Sequence, residues 1–365
     1  MKIEITKDEL KRVVAVCAPM VAHTSSTPIV ECVLISASSN EAKMFAYDFT
    51  NSVSCDIDAR IVSPGELVLP AKMLMDILSN VGNDIICLEV VVSNCILRSG
   101  SCSYELPLVD ASLFPEMPSV QDVESLPWVE IALDDFKGTY KKVAPCCAIG
   151  MNSAVSGVHI EANGTNVQVV GCDGYRVSIA KITGSCSEPL CFTLDKTVAR
   201  AIASVIGDKV RIYVGRRYNV ACIDGIQYIA RTFSDAFIDY KRAMTYDIAE
   251  TVTVSKKNLE QAIKSALPIT DNAAKTPLKL TFGDNLVVQS YSARGHVKTS
   301  CDLDDRSGNN EPIEIGVNSR FLLDGIAACD TDKLQIRLKN SISPIRVQDE
   351  NTDVMVLPMR LRKAA

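Results

Sequence analysis

The sequence predicts an α+β protein built from three copies of one domain, each with two helices and two small antiparallel sheets. Three observations predict this class. The length of 365 residues exceeds one ordinary domain. Two strand–helix segments each occur three times at nearly constant spacing, and alternating β-branched runs separate the predicted helices. We place the three domains at 1–120, 121–248 and 249–365.

The first repeated segment is a short strand, a polar helix start and an amphipathic helix that runs to a proline. Its copies lie at 3–19, 129–145 and 252–268, at offsets of 126 and 123 residues. The second segment repeats with offsets of 125 and 123 residues, and its copies have a favourable helix-start residue after the strand: Pro70, Asp195 and Asn318. Together the two segments predict helices at 7–20, 70–81, 134–147, 195–206, 255–267 and 318–328.

The stretches between these helices have the pattern of strands and turns. Alternating apolar runs predict strands at 33–36, 158–161, 210–214 and 278–281. The segments 163–164 and 283–285 carry turn residues between such runs. The Pro-rich, acidic stretch 114–127 is the predicted first linker, and the second boundary falls near 245–251, where the composition does not change.

Composition limits the class of protein further. A formal charge of −6 excludes a protein coated in positive charge, and 47% hydrophobic residues with 22% charged residues indicate a globular chain. We find no apolar run of about 20 residues, as a membrane span needs, and no signal peptide at the start. These features predict a soluble intracellular protein that does not contact membranes.

The 14 cysteines have no CxxC pair, and the histidines at 23, 159 and 296 lie far apart in sequence. This spacing predicts neither a metal site nor a cofactor, so we expect reduced, buried cysteines. An enzyme that uses Cys146 or Cys147 with His159 as the base is a weaker alternative, because no GxSxG, GxGxxG or Walker motif accompanies them.

Positive charge is concentrated in the predicted helices. The six helices hold 13 basic and 8 acidic residues, a sum of +5, which leaves −11 for the rest of the chain. Such residues could simply face solvent, or equivalent helices could face the phosphates of duplex DNA without reading its sequence. A repeat-built homo-oligomeric interaction protein that does not contact DNA therefore remains an alternative.

Several motifs resemble one family. The segment Cys172-Asp173-Gly174-Tyr175-Arg176-Val177 resembles the T-D-G-H-R-L motif of the bacterial sliding clamps, the beta subunits of DNA polymerase III. The segment 237–242 resembles their F-P-D-Y-R-R, and 356–361 resembles their V-M-P-M-R-L. The first-domain segments 27–29 and 69–72 match as well, so the resemblance covers the whole chain in the family's order.

The resemblance implies a non-catalytic clamp, a head-to-tail dimer of three-domain protomers that forms a six-domain ring around duplex DNA. The clamp would bind without sequence specificity and confer processivity on the replicative polymerase, as part of the DNA polymerase III holoenzyme. It implies helices that line the hole, with DNA-facing residues Lys11, Arg12, Lys72, Lys137, Lys141, Lys142, Lys196, Arg200, Lys257, Lys264 and Arg320. It also implies that Tyr104 and Leu106 of one chain contact Leu267 and Ile269 of the other.

The resemblance further implies a pocket for short peptide motifs rich in Gln, Leu and Phe. Its partners would be the polymerase alpha subunit, the clamp loader and repair polymerases. The pocket residues are Cys172, Gly174, Tyr175, Arg176, Val177, Ile238, Arg242, Ala243, Met355, Leu357, Pro358, Met359 and Arg360, an apolar surface with a few arginine donors. Cys172, Tyr175 and Ile238 replace the usual Thr, His and Pro, which predicts an altered peptide preference. The loop Ala22-His23-Thr24 lacks the family's arginine, and the basic tail 362–365 extends beyond the usual end.

Overall fold

The computed structural model describes residues 1–22, 26–82, 84–150, 153–270, 276–308 and 311–361. Residues 23 and 24 of the first-domain loop and the tail 362–365 lie outside this part of the chain. The described residues form seven α-helices: α1 (Lys7–Cys17), α2 (Ala71–Asn80), α3 (Leu133–Val143), α4 (Lys196–Ile202), α5 (Tyr240–Met244), α6 (Lys256–Ala266) and α7 (Ser319–Ala328).

Strands make up most of the remaining regular structure. The first thirteen are β1 (Lys2–Thr6), β2 (Cys32–Ala37), β3 (Ala42–Tyr47), β4 (Asn51–Ile57), β5 (Ala59–Ser63), β6 (Gly65–Pro70), β7 (Ile85–Val91), β8 (Asn94–Ser99), β9 (Cys102–Pro107), β10 (Trp128–Ala132), β11 (Val158–Asn163), β12 (Asn166–Cys172) and β13 (Arg176–Cys186). The others are β14 (Leu190–Leu194), β15 (Lys209–Val214), β16 (Tyr218–Ile223), β17 (Ile226–Arg231), β18 (Glu250–Ser255), β19 (Leu278–Phe282), β20 (Asn285–Ser292), β21 (Gly295–Asp302), β22 (Asp305–Gly308), β23 (Ile313–Val317), β24 (Lys333–Leu338), β25 (Ile345–Gln348) and β26 (Thr352–Val356).

The predicted α+β class, the six repeat helices and the four predicted strands are confirmed. All six helices are shorter than predicted, and three of them differ by at least three residues. The helices α1 and α3 end before Pro19 and Pro145, and a 3₁₀ turn follows each of them, because proline has no N–H to continue the α-helical hydrogen bonds. Helix α4 ends at Ile202, and there the Ser204 hydroxyl donates to the Arg200 carbonyl instead.

The chain divides into two compact units. The first contains Met1–Lys137, Ser185–Leu190 and Leu194–Thr232, and the second contains Gly138–Gly184, Cys191–Thr193 and Phe233–Ala365. The boundaries at 120 and 248 stay a prediction.

The first unit contains a five-stranded antiparallel sheet in the order β5-β1-β7-β8-β9. Its second sheet has eight strands in the order β6-β2-β3-β4-β17-β16-β15-β10. Strands β4 and β17 join the two halves of this sheet, with Val53 opposite Tyr228, and we call this pairing the first junction. Helices α1 and α2 pack against each other.

The second unit repeats this plan. It contains a four-stranded sheet in the order β21-β20-β19-β23 and an eight-stranded sheet in the order β11-β12-β13-β26-β25-β24-β18-β22. Strands β13 and β26 join its halves, with Val177 opposite Met355, and we call this pairing the second junction. Helices α6 and α7 pack together, and Leu259 and Ile326 are buried in one apolar core.

Across the described ranges, each helix is too short or too polar to cross a lipid bilayer. All 14 cysteines are free thiols, and nine of them are buried. Most of them therefore occupy core positions as small apolar side chains, as their sequence neighbours predict.

A candidate peptide-binding site, basic helices and open sheet edges

The candidate peptide-binding site is built on a small apolar cluster beside the second junction. Cys172, Val177 and Met355 are each 3% exposed, and they pack in one cluster with Tyr240 and Met244 of α5. Strands β12, β13 and β26 and helix α5 thus meet at one place. Burial raises the pKa of the Cys172 thiol, so this side chain is a neutral, apolar part of the floor.

Three large apolar side chains remain exposed on the segments around this floor. Tyr175 is 65% exposed, Ile238 is 48% exposed and Leu357 is 37% exposed. The backbone N–H of Leu357 donates to the carbonyl oxygen of Tyr175 at 2.9 Å, which holds the two segments together. Exposed apolar residues grouped around a buried floor are typical of a surface that binds a partner.

The segment after β26 is held in place by a second backbone contact. The N–H of Met359 donates to the carbonyl oxygen of Gly316 at 2.7 Å. A Cβ atom at position 316 would lie 2.5 Å from the Met359 carbonyl oxygen, so this close approach requires glycine. Pro358 and Met359 are half-buried and Arg360 is exposed.

Helix α5 forms another side of the site. The Asp239 carboxylate accepts from the Arg242 N–H at 3.2 Å and caps the helix. In the helix that begins at this cap, Arg242 and Ala243 are exposed, whereas Tyr240 and Met244 are buried. Arg242 is therefore an exposed cation on the helix that follows Ile238.

Arg176 differs from the other predicted arginine donors because its guanidinium is buried. Its Nε donates to Asp173 at 2.9 Å, and its terminal nitrogens donate to Asp324 and to the carbonyl oxygen of Pro145. The guanidinium carbon lies 4.1 Å from the centre of the Phe321 ring. With all its nitrogens bound, Arg176 joins the turn before β13 to helix α7.

The turn that carries Arg176 has a local cause. The backbone N–H groups of Tyr175 and Arg176 both donate to Asp173 at 3.0 Å, and Gly174 has a φ of +83°. An aspartate that accepts from the residues after it, together with a left-handed glycine, makes a tight turn. Tyr175 is thereby held exposed at its tip.

The structure places Cys172, Val177 and Met355 together in the floor of the site, with Gly174, Tyr175, Ile238, Arg242, Ala243, Leu357, Pro358, Met359 and Arg360 on the segments around it. Arg176 stays a predicted pocket residue, and in the structure each of its three guanidinium nitrogens donates a hydrogen bond within the chain. Asp173, Phe321 and Asp324 were missed. The first could have been found from its three-residue spacing to Arg176, whereas the other two lie more than 140 residues away.

The alternative of a cysteine nucleophile gains no support from the geometry. Burial raises the pKa of Cys146 to about 12, and Cys147 is 2% exposed. The ring nitrogens of His159, the expected base, lie against Thr193 and Cys191 instead. A buried thiol with a raised pKa is a poor nucleophile at neutral pH.

The predicted DNA-facing residues differ in their ion pairs and in their exposure. Several are bound to carboxylates: Arg12 to Glu9, Lys137 to Asp134, Lys142 to Asp330 and Lys264 to Glu260. The side-chain hydrogen bond from Arg12 holds the pKa of Glu9 below its ordinary value. Five others are exposed: Lys72, Lys141, Arg200, Lys257 and Arg320, while Lys11 and Lys196 are half-buried.

Within the described residues, two of the predicted interface residues belong to an edge strand, and the other two follow helix α6. Tyr104 and Leu106 belong to β9, the last strand of the five-stranded sheet, where Tyr104 is half-buried and Leu106 is 7% exposed. Ile269 follows α6 and lies 3.9 Å from the Cβ position of Gly295, the first residue of β21. Strand β21 is the last strand of its own sheet in the described part of the chain, and Leu267, two residues before Ile269, is half-buried.

Comparison with known proteins identifies the family. The N-terminal domain model of the DNA polymerase III beta subunit matches residues 1–118, and the C-terminal domain model matches 241–360. The chain is 24% identical to the beta sliding clamp of Synechococcus elongatus, with 99% of this chain and all of that protein aligned.

Solved structures agree with this match. The DNA polymerase III beta subunit of Thermotoga maritima superposes with a TM-score of 0.91 at 20% identity, over 99% of this chain and all of the other. The Pseudomonas aeruginosa sliding clamp bound to griselimycin gives a TM-score of 0.89 at 20% identity, with the same coverage. The chain therefore belongs to the family of DNA polymerase III beta subunits, the sliding clamps, which are processivity factors and not catalysts.

Proposed function

We propose that two copies of this chain close head-to-tail into a ring around duplex DNA and slide along it without sequence specificity. The observation that carries the proposal is the way in which strands pair at the junctions. Each repeat contains two meanders of three consecutive strands. At each junction, the last strand of one repeat's first meander pairs with the last strand of the second meander in the following repeat. This rule describes β4 with β17 and β13 with β26.

In the described part of the chain, the same rule leaves the outer edges of two third strands unpaired. Strand β21 is the third strand of its meander after β19 and β20, and β9 is the third strand after β7 and β8. Pairing β21 of one chain with β9 of another repeats the existing junctions. A head-to-tail contact of this kind forms a closed ring when the rotation per step closes, and it covers both open edges.

Duplex DNA fits the charge of the repeat helices. Exposed Lys72, Lys141 and Lys257 lie on three different repeat helices in a chain of net charge −6. Contacts between such side chains and phosphates carry no base specificity. The proposed contact set also includes Lys11, Lys196, Arg200 and Arg320, and the four carboxylate-bound cations, because surface ion pairs of this kind are weak.

The surface beside the second junction is proposed to bind short peptide motifs of partner proteins. Tyr175, Ile238 and Leu357 provide apolar contacts over a buried floor, and exposed Arg242 and Arg360 provide donors. We infer that the partners are the replicative polymerase subunit, the clamp loader and repair polymerases, in the bacterial cytosol at the replication fork. Tyr175 in place of the family's histidine adds apolar area, which favours motifs with an aromatic or leucine residue at that point.

The test is retention on DNA after loading by a clamp loader. The ring predicts stable retention on a closed circle and rapid loss once the circle is cut, because only a free end allows a ring to slide off. Equal loss from circular and linear DNA would overturn the proposal. It would favour a homo-oligomeric interaction protein that does not encircle DNA.

A further inference from the structure

A histidine, a glutamate and a cysteine converge beside α5. His159 and Glu161 are two residues apart on β11 and therefore share one face of the strand. Cys191 lies on β14, which pairs with β11. The ligand atoms of the three side chains all lie within 4.8 Å of one another, and the peptide-binding residues do not include any of them.

The distances between these atoms match a tetrahedral zinc site. His159 Nε2 lies 3.5 Å from Cys191 Sγ and 3.6 Å from Glu161 Oε1. Ordinary zinc bonds of about 2.0–2.3 Å at a tetrahedral angle separate such atom pairs by roughly 3.4–3.6 Å. We propose that His159, Glu161 and Cys191 bind a zinc ion, whose fourth position is open to water.

The surrounding groups orient each ligand. His159 Nδ1 lies 3.0 Å from the Thr193 hydroxyl. In the tautomer that carries its proton on Nδ1, the ring donates to this hydroxyl and leaves the Nε2 lone pair for the metal. Glu161 accepts from the Tyr240 hydroxyl at 2.7 Å and from Lys241 at 2.6 Å. Such outer hydrogen bonds to a ligating imidazole and carboxylate are typical of metal centres.

The donor set selects zinc over harder cations. An imidazole and a thiol suit zinc, whereas Mg²⁺ and Ca²⁺ prefer oxygen ligands alone. His159 is 5% exposed while Cys191 is exposed, so an ion can enter from the Cys191 side without opening the core. Sequence spacing gave no sign of this site, because Cys191 lies 32 residues from His159.

A zinc ion at this position would restrict the motion of segment 237–244, which carries part of the peptide-binding surface. The Phe237 ring stacks on the His159 ring with centroids 4.3 Å apart, and Tyr240 is bonded to Glu161. A zinc ion that fixes His159 and Glu161 would therefore also hold Phe237 and Tyr240, which lie on either side of Ile238 in the sequence. We expect slower amide exchange in 237–244 when zinc is bound; this effect does not depend on peptide binding.

The experiment is a zinc titration of the metal-free, full-length chain against a chromophoric chelator, followed by metal analysis after gel filtration. One equivalent of zinc should remain bound. Cys191→Ser should weaken zinc binding at least tenfold, and Cys102→Ser, which removes the other exposed cysteine, should leave it unchanged. His159→Gln should weaken it to a similar extent.

Cobalt provides a second measurement that does not depend on folding of the histidine variant. The wild-type chain with Co²⁺ should show a thiolate-to-cobalt charge-transfer absorption that Cys191→Ser lacks, since this exposed substitution leaves the core intact. Failure to retain zinc, or unchanged zinc affinity in Cys191→Ser, would overturn the proposal and leave the three residues as a hydrogen-bonded cluster.

Discussion

The first and second junctions have the same strand plan but different surfaces. At the first, the surface beside β4 and β17 borders a cavity of about 570 Å³ lined by charged residues that include Lys43, Glu130 and Arg211. These charges pair with one another or with neighbours, as Arg211 does with Glu130 at 2.7 Å. At the second junction, exposed apolar residues surround an apolar floor.

The exposed apolar residues at the second junction come from segments outside the paired strands. The segment before α5 contributes Ile238 and the segment after β26 contributes Leu357, and Arg176 joins the adjacent turn to α7. The repeated strands therefore provide a frame that both junctions share. Added segments make only one of them a candidate peptide site.

The largest expected effect concerns the edges that should form a third junction between chains. Ile269→Asp places a charge beside the open edge at Gly295, so we expect the chain to become monomeric at micromolar concentration in analytical ultracentrifugation. Ile342→Asp changes a residue that is 81% exposed and distant in sequence from either edge, and it should remain dimeric. A dimeric Ile269→Asp protein would show that the third junction does not follow the first two.

Arg176 is a stabilising feature specific to the second junction. Arg176→Ala leaves Asp173 without its buried partner and removes the contact with Phe321, which should lower the free energy of unfolding by about 2–3 kcal/mol. Arg176→Lys should not restore it, because an ammonium cannot reproduce the planar set of donors. Urea denaturation measures the effect, with exposed Arg242→Ala as the control; equal stability of the two alanine variants would contradict the assigned role.

Leu357 near the second junction and Phe49 near the first are both exposed apolar residues, so their alanine variants can be compared. Leu357→Ala should weaken binding of a Gln-, Leu- and Phe-rich peptide by about tenfold in calorimetry, or about 1.4 kcal/mol, because the peptide would bury the part of this side chain that is still exposed. Phe49→Ala removes a residue that is 50% exposed beside the start of β4, and should leave peptide affinity unchanged. Equal losses in both variants would remove the distinction between the junctions.

The smallest effect concerns the exposed lysines that the helices of both units carry. Replacing Lys72, Lys141 and Lys257 with glutamine should reduce the slope of log affinity for DNA against log salt by about one per lysine. Lys181→Gln changes an exposed lysine of strand β13 and should leave the slope unchanged. A triple variant with the wild-type slope would indicate that these helices do not face DNA.

The fold was predictable from sequence because its signal is local and repeated. Strand alternation and helix starts such as Asp195, which accepts two backbone N–H groups of its helix, need only neighbouring residues. Several site residues were also available from the motifs, because Asp173, Gly174 and Tyr175 form one turn.

Features that depend on distant residues could not be predicted in this way. Arg176 is buried because Asp324 and Phe321 reach it from another element, and no spacing rule relates them. Likewise, β11 and β14 bring Cys191 to His159 only after the sheet has formed.

If the second junction binds peptides and the first does not, a bound peptide should protect only the second. Hydrogen–deuterium exchange of the full-length chain, with and without a Gln-, Leu- and Phe-rich clamp-binding peptide, measures this difference. We expect slower exchange in 172–177, 237–243 and 355–360, with no change in 43–57 or 222–230. Protection at the first junction, or none at the second, would contradict it.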